Sequence, residues 1–237
     1  MAMNPTDASG APSASVQEVV PTDPNATWVR DKRLDRFRAI MSARGIESDF
    51  VETSAEALSF VVQWLPREVV VGLGGSTTLR QAGVWRTLDE LGTTVINQQL
   101  PGLTKAERHE LRRRNVSTEY YVMSCNALVE SGSIVVMNHT GNAVAALAFG
   151  AKNVLIVASA NKLVRTLDEA IHRITGEVAP ANAHRSGEFR PPCFAEGTCD
   201  DEACAWPDRL CNKLLILSGE AISGRVRLLL VGEKLGF

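Results

Sequence analysis

Four cysteines crowd one late stretch of the chain in the order Cys193-x5-Cys199-x4-Cys204-x6-Cys211, while Cys125 stands alone. Four thiolates satisfy a tetrahedral Zn²⁺ or a [4Fe–4S] cluster. A disulfide scaffold for a whole domain spreads its cysteines along the sequence. One late group therefore points to a metal or cluster centre formed by Cys193, Cys199, Cys204 and Cys211. The alternatives are one or two disulfides, or free thiols in a loop. The adjacent acidic run Asp200-Asp201-Glu202 does not choose between metals, since both four-thiolate centres are dianionic.

A second pattern is Val69-Val-Val-Gly72-Leu-Gly74-Gly75-Ser76-Thr77-Thr78-Leu79, which reads as a strand, a glycine-rich turn and a helix start. Glycines let backbone approach a ligand, and free N–H groups beside hydroxyls favour an anion. Neither the Gly-Lys-Ser of a P-loop nor the third spaced glycine of a dinucleotide site is present. Gly74, Gly75, Ser76 and Thr77 are thus candidates for anion or cofactor binding, or for a tight turn with a serine cap.

The middle of the chain offers Cys125-Asn126-Ala-Leu-Val-Glu130-Ser-Gly132, then Asn138-His139-Thr-Gly141-Asn142, then Asn161-Lys162. Glu130 is a candidate general base, nucleophile or ligand-orienting acceptor, and equally a partner for an arginine or for backbone N–H groups. His139 is the histidine best placed for chemistry, although turn histidines are usually just exposed. Asn142 is a ligand contact or an N-cap. Lys162 either neutralises a phosphate or carboxylate or is a solvated lysine at a helix start. Asn126, Gly141 and Asn161 complete this set.

These residues need a scaffold. The apolar spacing of Leu34, Phe37, Ile40 and Met41 predicts a helix over 28–43, closed by Gly45. Residues 46–52 read as a strand, 54–64 as a helix, 68–71 and 93–96 as short strands, and 104–114 as a charged helix. Apolar runs at 134–137 and 154–158 suit a buried sheet. Residues 143–149 read as a small-residue helix and 163–174 as an amphipathic one. Segment 178–212 reads as an irregular Cys- and Pro-rich insertion. Strands at 214–217 and 225–231 are expected to complete the same sheet. The alternation predicts an α/β domain with a mostly parallel sheet and helices on both faces, over residues 28–237.

Composition bounds the rest. The chain has 237 residues, a formal net charge of −2 and 45% hydrophobic residues, which is ordinary for one globular domain. There is no basic excess to suggest nucleic acid. No long uncharged apolar stretch predicts a membrane span, and the amino-terminal residues lack a signal-peptide pattern. A cytoplasmic protein is the expectation. Residues 1–27 contain no Lys or Arg and are rich in small polar residues and proline, which predicts a disordered tail.

In their order and spacing, the segments Val71–Leu79, Asn126–Gly132, Gly141–Ala146, Asn161-Lys162, Arg173-Ile174, Ala179–Asn182 and the late cysteines resemble those of the LUD-domain proteins of lactate utilisation, LutC- and YkgG-like proteins among them. The resemblance covers about residues 30–237. It implies a NagB/RpiA/CoA-transferase-like α/β fold, with Glu130 where related transferases hold a carboxylate near the reacting centre. It also implies a role in oxidation of lactate or another organic acid, alongside iron–sulfur oxidoreductase subunits as partners, and tilts the cysteine centre towards iron–sulfur. Ala143, Val129, Ser133 and Asn138-His139 depart from the family's usual residues. The expected function is a redox-associated enzyme or accessory subunit binding a small anionic ligand. The alternatives are a ligand-sensing module without turnover and a structural subunit of an iron–sulfur complex.

Overall fold

The computed structural model describes residues 23–237. The expected tail lies outside the described residues as far as residue 22. Residues 24–27 are not tail but the first turn of a helix. Asp23 caps it by accepting from the Asn25 N–H at 2.9 Å, and Pro24 occupies its first position, where a missing N–H costs nothing.

That helix is α1 (Pro24–Ala43), followed by β1 (Glu47–Val51), α2 (Ser54–Trp64), β2 (Val71–Leu73), α3 (Thr77–Gln81), α4 (Val84–Glu90) and β3 (Val95–Ile96). Then come α5 (Lys105–Val116), β4 (Tyr120–Met123), β5 (Ala127–Val129), β6 (Ser133–Asn138) and α6 (Asn142–Ala145), which runs on into a π-helical turn at Ala146–Gly150. β7 (Asn153–Ser159), a 3₁₀ turn at Ala160–Lys162 and β8 (Leu163–Val164) lead to α7 (Leu167–Arg173). A second π-helical turn, Ile174–Val178, joins α7 to α8 (Ala179–Ser186); α9 (Pro192–Glu196), β9 (Lys213–Leu217) and β10 (Val226–Val231) complete the order. No helix among the described residues is long and apolar enough to cross a membrane.

The molecule is an α/β fold built on a six-stranded sheet in the order β1-β10-β7-β4-β2-β3, with every neighbouring pair parallel. Side chains alternate across a strand. Val154, Ile156 and Ala158 of β7 and Val226, Leu228 and Leu230 of β10 therefore face one side, where Leu34, Phe37 and Met41 of α1 meet them. Leu155, Val157, Leu229 and Val231 face the other, covered by Ala57 and Val61 of α2, Leu79 of α3 and Val84 and Leu88 of α4.

The two late strands do not complete one sheet as the sequence predicts. β10 lies inside the parallel sheet, whereas β9 is an edge of a second, four-stranded sheet ordered β8-β5-β6-β9. There β5–β6 and β6–β9 are antiparallel and β5–β8 parallel. The second sheet packs Leu128, Ile134 and Val136 into the α1 side of the core. Its other face places Ala127, Val129 and Val135 against Ala170 of α7 and Ile174. The reason is burial. β10 is almost wholly enclosed, but Leu214 and Ile216 of β9 stay exposed and cannot lie inside a covered sheet.

The segment 178–212 is also more ordered than its composition suggests. Helices α8 and α9 pack around Ala183, Cys193 and Leu210, with Phe189 and Phe194 against them.

Candidate functional site

The chain leaves β2 through Gly74 and Gly75, leaves β4 through Ser124 to Asn126, and leaves β7 through the turn that ends in Lys162. All three exits lie at carboxyl ends of parallel strands, where ligands of open α/β sheets bind. They enclose a cavity of about 210 Å³. The end of β6, His139, the Ile174–Ala179 stretch and Asn182 form the remaining walls, with Leu210 and Cys211 beside them.

Close backbone approach is built into β2. A methyl group on Gly72 would run into Asn115, Thr118 and Tyr121. Asn115 there donates its amide to the Leu73 carbonyl at 3.0 Å and to Gln98 Oε1 at 2.6 Å, and Gln98 donates to the same carbonyl at 3.3 Å. This buried amide pair fixes the strand just before the glycine turn. Gly72→Ala is expected to lower unfolding stability by about 1–3 kcal/mol, the usual cost of overpacking. Urea denaturation measures it, and an unchanged midpoint would mean that the network yields freely.

Lys162 is the centre of the site. It is only 4% exposed. Its Nζ donates to Thr78 Oγ1 at 2.8 Å, Ser124 Oγ at 3.0 Å and the Cys125 carbonyl at 2.9 Å. Every one of these acceptors is neutral. Among the described residues, no Asp or Glu side chain lines the cavity. Burial pulls the ammonium down to about 8, with nearby Arg173 adding to the effect and Cys125 opposing it. A buried cation without a carboxylate is costly unless a ligand supplies the charge.

The other walls mix apolar side chains, Met123, Val136 and Ile174 among them, with neutral polar groups. Asn126 accepts the Met137 N–H on Oδ1 at 2.8 Å, so its amide NH₂ is the group available to a ligand. Arg173 donates to the Asn126 carbonyl at 3.1 Å. His139 is held below its ordinary value by burial first and then by Arg112 and Lys213, so it is a neutral imidazole at pH 7. Its ring packs against Phe189 at 4.5 Å between centroids. The Cys125 thiol is pushed up, chiefly by burial, and stays protonated. Ser76 accepts the Leu79 N–H at 3.3 Å and so caps α3.

The residues singled out from the sequence fall into two groups. Gly74, Gly75, Ser76, Thr77, Asn126 and Lys162 line the cavity together. Glu130, Gly141, Asn142 and Asn161 are not among its lining residues. Glu130 sits at the tip of the β5–β6 hairpin, ion-paired with Arg33 of α1, and its N–H donates to the Val164 carbonyl at 2.9 Å. Asn142 accepts from Thr140 at 2.7 Å in the turn that opens α6, and the Gly141 N–H in the same turn donates to Asn138 Oδ1. Asn161 adjoins Lys162, with a buried Oδ1 that has no protein partner. Thr78 and Ser124 were not singled out by the sequence. Their one signal was a hydroxyl directly after the glycine turn or after a buried strand.

The cysteine centre does not form. Among the described residues, no group of three or more His, Cys, Asp or Glu side chains is placed to hold a metal ion, so neither zinc nor a [4Fe–4S] cluster has a site here. All five cysteines are free thiols. The physical reason is that the four side chains do not converge on a single point. Cys193 is buried in the apolar cluster with Ala183 and Leu210, Cys211 lines the Lys162 cavity, and Cys199 is exposed. Burial pushes the Cys211 thiol up to about 11, helped by Cys193, Cys199 and Cys204. The cross-linking expected of a metal comes from apolar packing instead. Cys193→Ser, which places a hydroxyl in that cluster, is expected to cost about 1–3 kcal/mol. Cys199→Ser at the surface should stay within about 0.5 kcal/mol of the parent. Paired urea titrations check this, and equal effects at both positions would deny Cys193 its packing role.

Comparison with known proteins agrees with this architecture. The family model described as the LUD domain matches residues 34–231. No curated protein matches the sequence. A crystal structure of a DUF162-family protein from Deinococcus radiodurans is similar in fold, with a TM-score of 0.51 and 18% sequence identity, covering 86% of this chain and 98% of that one. The chain belongs to the LUD-domain family.

Proposed function

We propose that the cavity around Lys162 binds a small organic anion and that the protein works in organic-acid utilisation, with lactate or a similar short acid as its ligand. It acts there as a redox-associated enzyme or an accessory subunit. The single observation that carries this reading is the buried Lys162 ammonium, held by three neutral acceptors in a cavity with no Asp or Glu side chain on its described walls. A carboxylate ligand would supply the missing charge. The hydroxyls of Ser76, Thr77 and Ser124 and the amide of Asn126 are suited to its remaining oxygens. A volume of about 210 Å³ suits an acid of a few carbons better than a nucleotide. Membership of the LUD-domain family supports the organic-acid setting.

Two finer points belong to the same reading. The all-parallel sheet with helices on both faces supports assignment to the NagB/RpiA/CoA-transferase-like folds. Glu130, paired with Arg33 away from the cavity, is assigned a structural task, tying the hairpin to α1.

Calorimetric titration of the protein with L-lactate, pyruvate and acetate at pH 7, with choline as a cationic control, tests the reading. Saturable binding of at least one anion and none of choline is expected. No heat with any of the three acids would remove it.

A further inference from the structure

We propose that Lys162 is a carbonyl-capturing amine, which forms a Schiff base with a short 2-oxo acid seated in the cavity. The inference rests on the organic-anion reading above and adds to it a substrate class and a covalent step.

The geometry around Nζ carries it. A lysine whose task is only to hold charge usually faces a carboxylate, which locks the ammonium form. Here two of the three partners are hydroxyls, Thr78 Oγ1 at 2.8 Å and Ser124 Oγ at 3.0 Å, and the third is the Cys125 carbonyl at 2.9 Å. A hydroxyl accepts from an ammonium and, turned about its C–O bond, donates to a free amine. The carbonyl accepts from either form. The same cage therefore satisfies both protonation states without moving a heavy atom. Lys162, Thr78, Ser124 and Cys125 all line the one cavity, so the nitrogen is buried from bulk water yet at the wall of the space a ligand would fill. Burial, which draws this amine down to about 8, raises the fraction of free base at neutral pH.

The step balances without an oxidant. The Nζ lone pair attacks the keto carbon of the 2-oxo acid, and a proton passes from nitrogen to the former carbonyl oxygen, giving a carbinolamine. That hydroxyl then leaves with a proton as water while the C=N bond forms. The Ser124 and Thr78 hydroxyls sit within hydrogen-bond distance of Nζ and are suited to relaying these protons. The carboxylate of the acid stays intact as the anionic handle, suited to the Ser76 and Thr77 hydroxyls and the Asn126 amide during attack and to the protonated imine, again a cation, afterwards. A 2-hydroxy acid such as lactate has the same handle and no carbonyl, so it binds without forming the bond.

The test uses the full chain with pyruvate and sodium borohydride at pH 7, followed by intact mass measurement and peptide mapping. L-Lactate with borohydride, and pyruvate without it, serve as controls. The expected result is one reduced adduct per chain, mapped to Lys162. It should form on the order of 100-fold faster than at the exposed Lys32 and Lys105, because the cavity holds the acid beside Lys162. Excess lactate should slow it by competition. If calorimetry shows that pyruvate binds but mapping finds no adduct at Lys162, or only the exposed lysines react, the Schiff base is overturned and the anion site stands. If neither acid binds and no adduct forms, the anion reading falls together with it.

Discussion

Glu220→Ala is expected to cost about 3–5 kcal/mol of unfolding stability, a large share of what a domain of this size has. Glu220 and Arg225 form an ion pair with side chains only 7% and 5% exposed. Arg225 also donates to the Ala151 carbonyl at 3.0 Å and to the Leu147 carbonyl, so it joins the loop before β10 to the end of the π-helical turn after α6. Removing the carboxylate leaves a guanidinium buried with no counter-charge. The Glu220 N–H donates to the Arg44 carbonyl at 2.9 Å, which anchors the same loop to the end of α1 and keeps the backbone in place in the variant. The pair also sets an acid limit. Burial alone would raise the Glu220 carboxyl, but the Ile222 N–H and Arg225 outweigh it and hold the group below its ordinary value. A depressed carboxyl contributes stability that is present above its unfolded value and lost as pH falls through the folded value. Wild-type stability should therefore drop below about pH 4.5, and Glu220→Gln should flatten that part of the profile. Urea midpoints from pH 3 to 7 measure both effects. A loss under about 1 kcal/mol for Glu220→Ala would show that water reaches the guanidinium.

What the sequence made legible, and what it did not, follows from where the determining forces act. Helices α2 and α5 begin with Thr53…Glu56 and Thr104…Glu107, reciprocal caps completed within four residues, so their starts are fixed locally. β7 and β10 were readable as apolar runs because a strand covered on both faces has no polar alternation. The second sheet was not readable. Leu214–Leu217 and Leu228–Val231 are nearly alike as letters. Only the helices packed on each face decide which of them lies inside the parallel sheet, and that is a tertiary choice. The site divides in the same way. Gly74 to Thr77 were legible because a glycine turn after an apolar strand is a local pattern. Lys162 was legible only as a candidate, since burial by β4 and α3 depends on contacts about 40 and 80 residues away in sequence. The cysteines show the reverse failure. Spacing revealed four soft ligands, but spacing does not aim side chains, and Cys193 turns into an apolar cluster.

Lys162→Met is expected to lower affinity for a short carboxylate by about 30-fold or more, the lower end of the 2–5 kcal/mol lost when one partner of a buried charge pair is truncated. Methionine keeps the apolar stem and ends one atom short of the lysine nitrogen, so most of the cavity wall is preserved. The fold should survive. The variant loses three hydrogen bonds, to Thr78, Ser124 and the Cys125 carbonyl, but it also loses the penalty of a buried ammonium. The wild-type protein carries an independent signature of the same charge in its pH dependence. Burial draws the free protein's ammonium down to about 8. Above that pH the cation is lost, so anion affinity should fall by about tenfold per pH unit until the bound form also titrates. Folding stability should move the other way. Between about 8 and the unfolded value of 10.5 the unfolded chain binds more protons than the folded one, so the Lys162 contribution to stability rises with pH across that window. Calorimetry of acetate or lactate binding from pH 7 to 9.5, beside urea midpoints at the same pH values, reads the two slopes together. Opposite slopes in the wild type, both flattened in Lys162→Met, are the expected pattern. Affinity that ignores pH, or that persists in the variant, would move the anion away from Lys162.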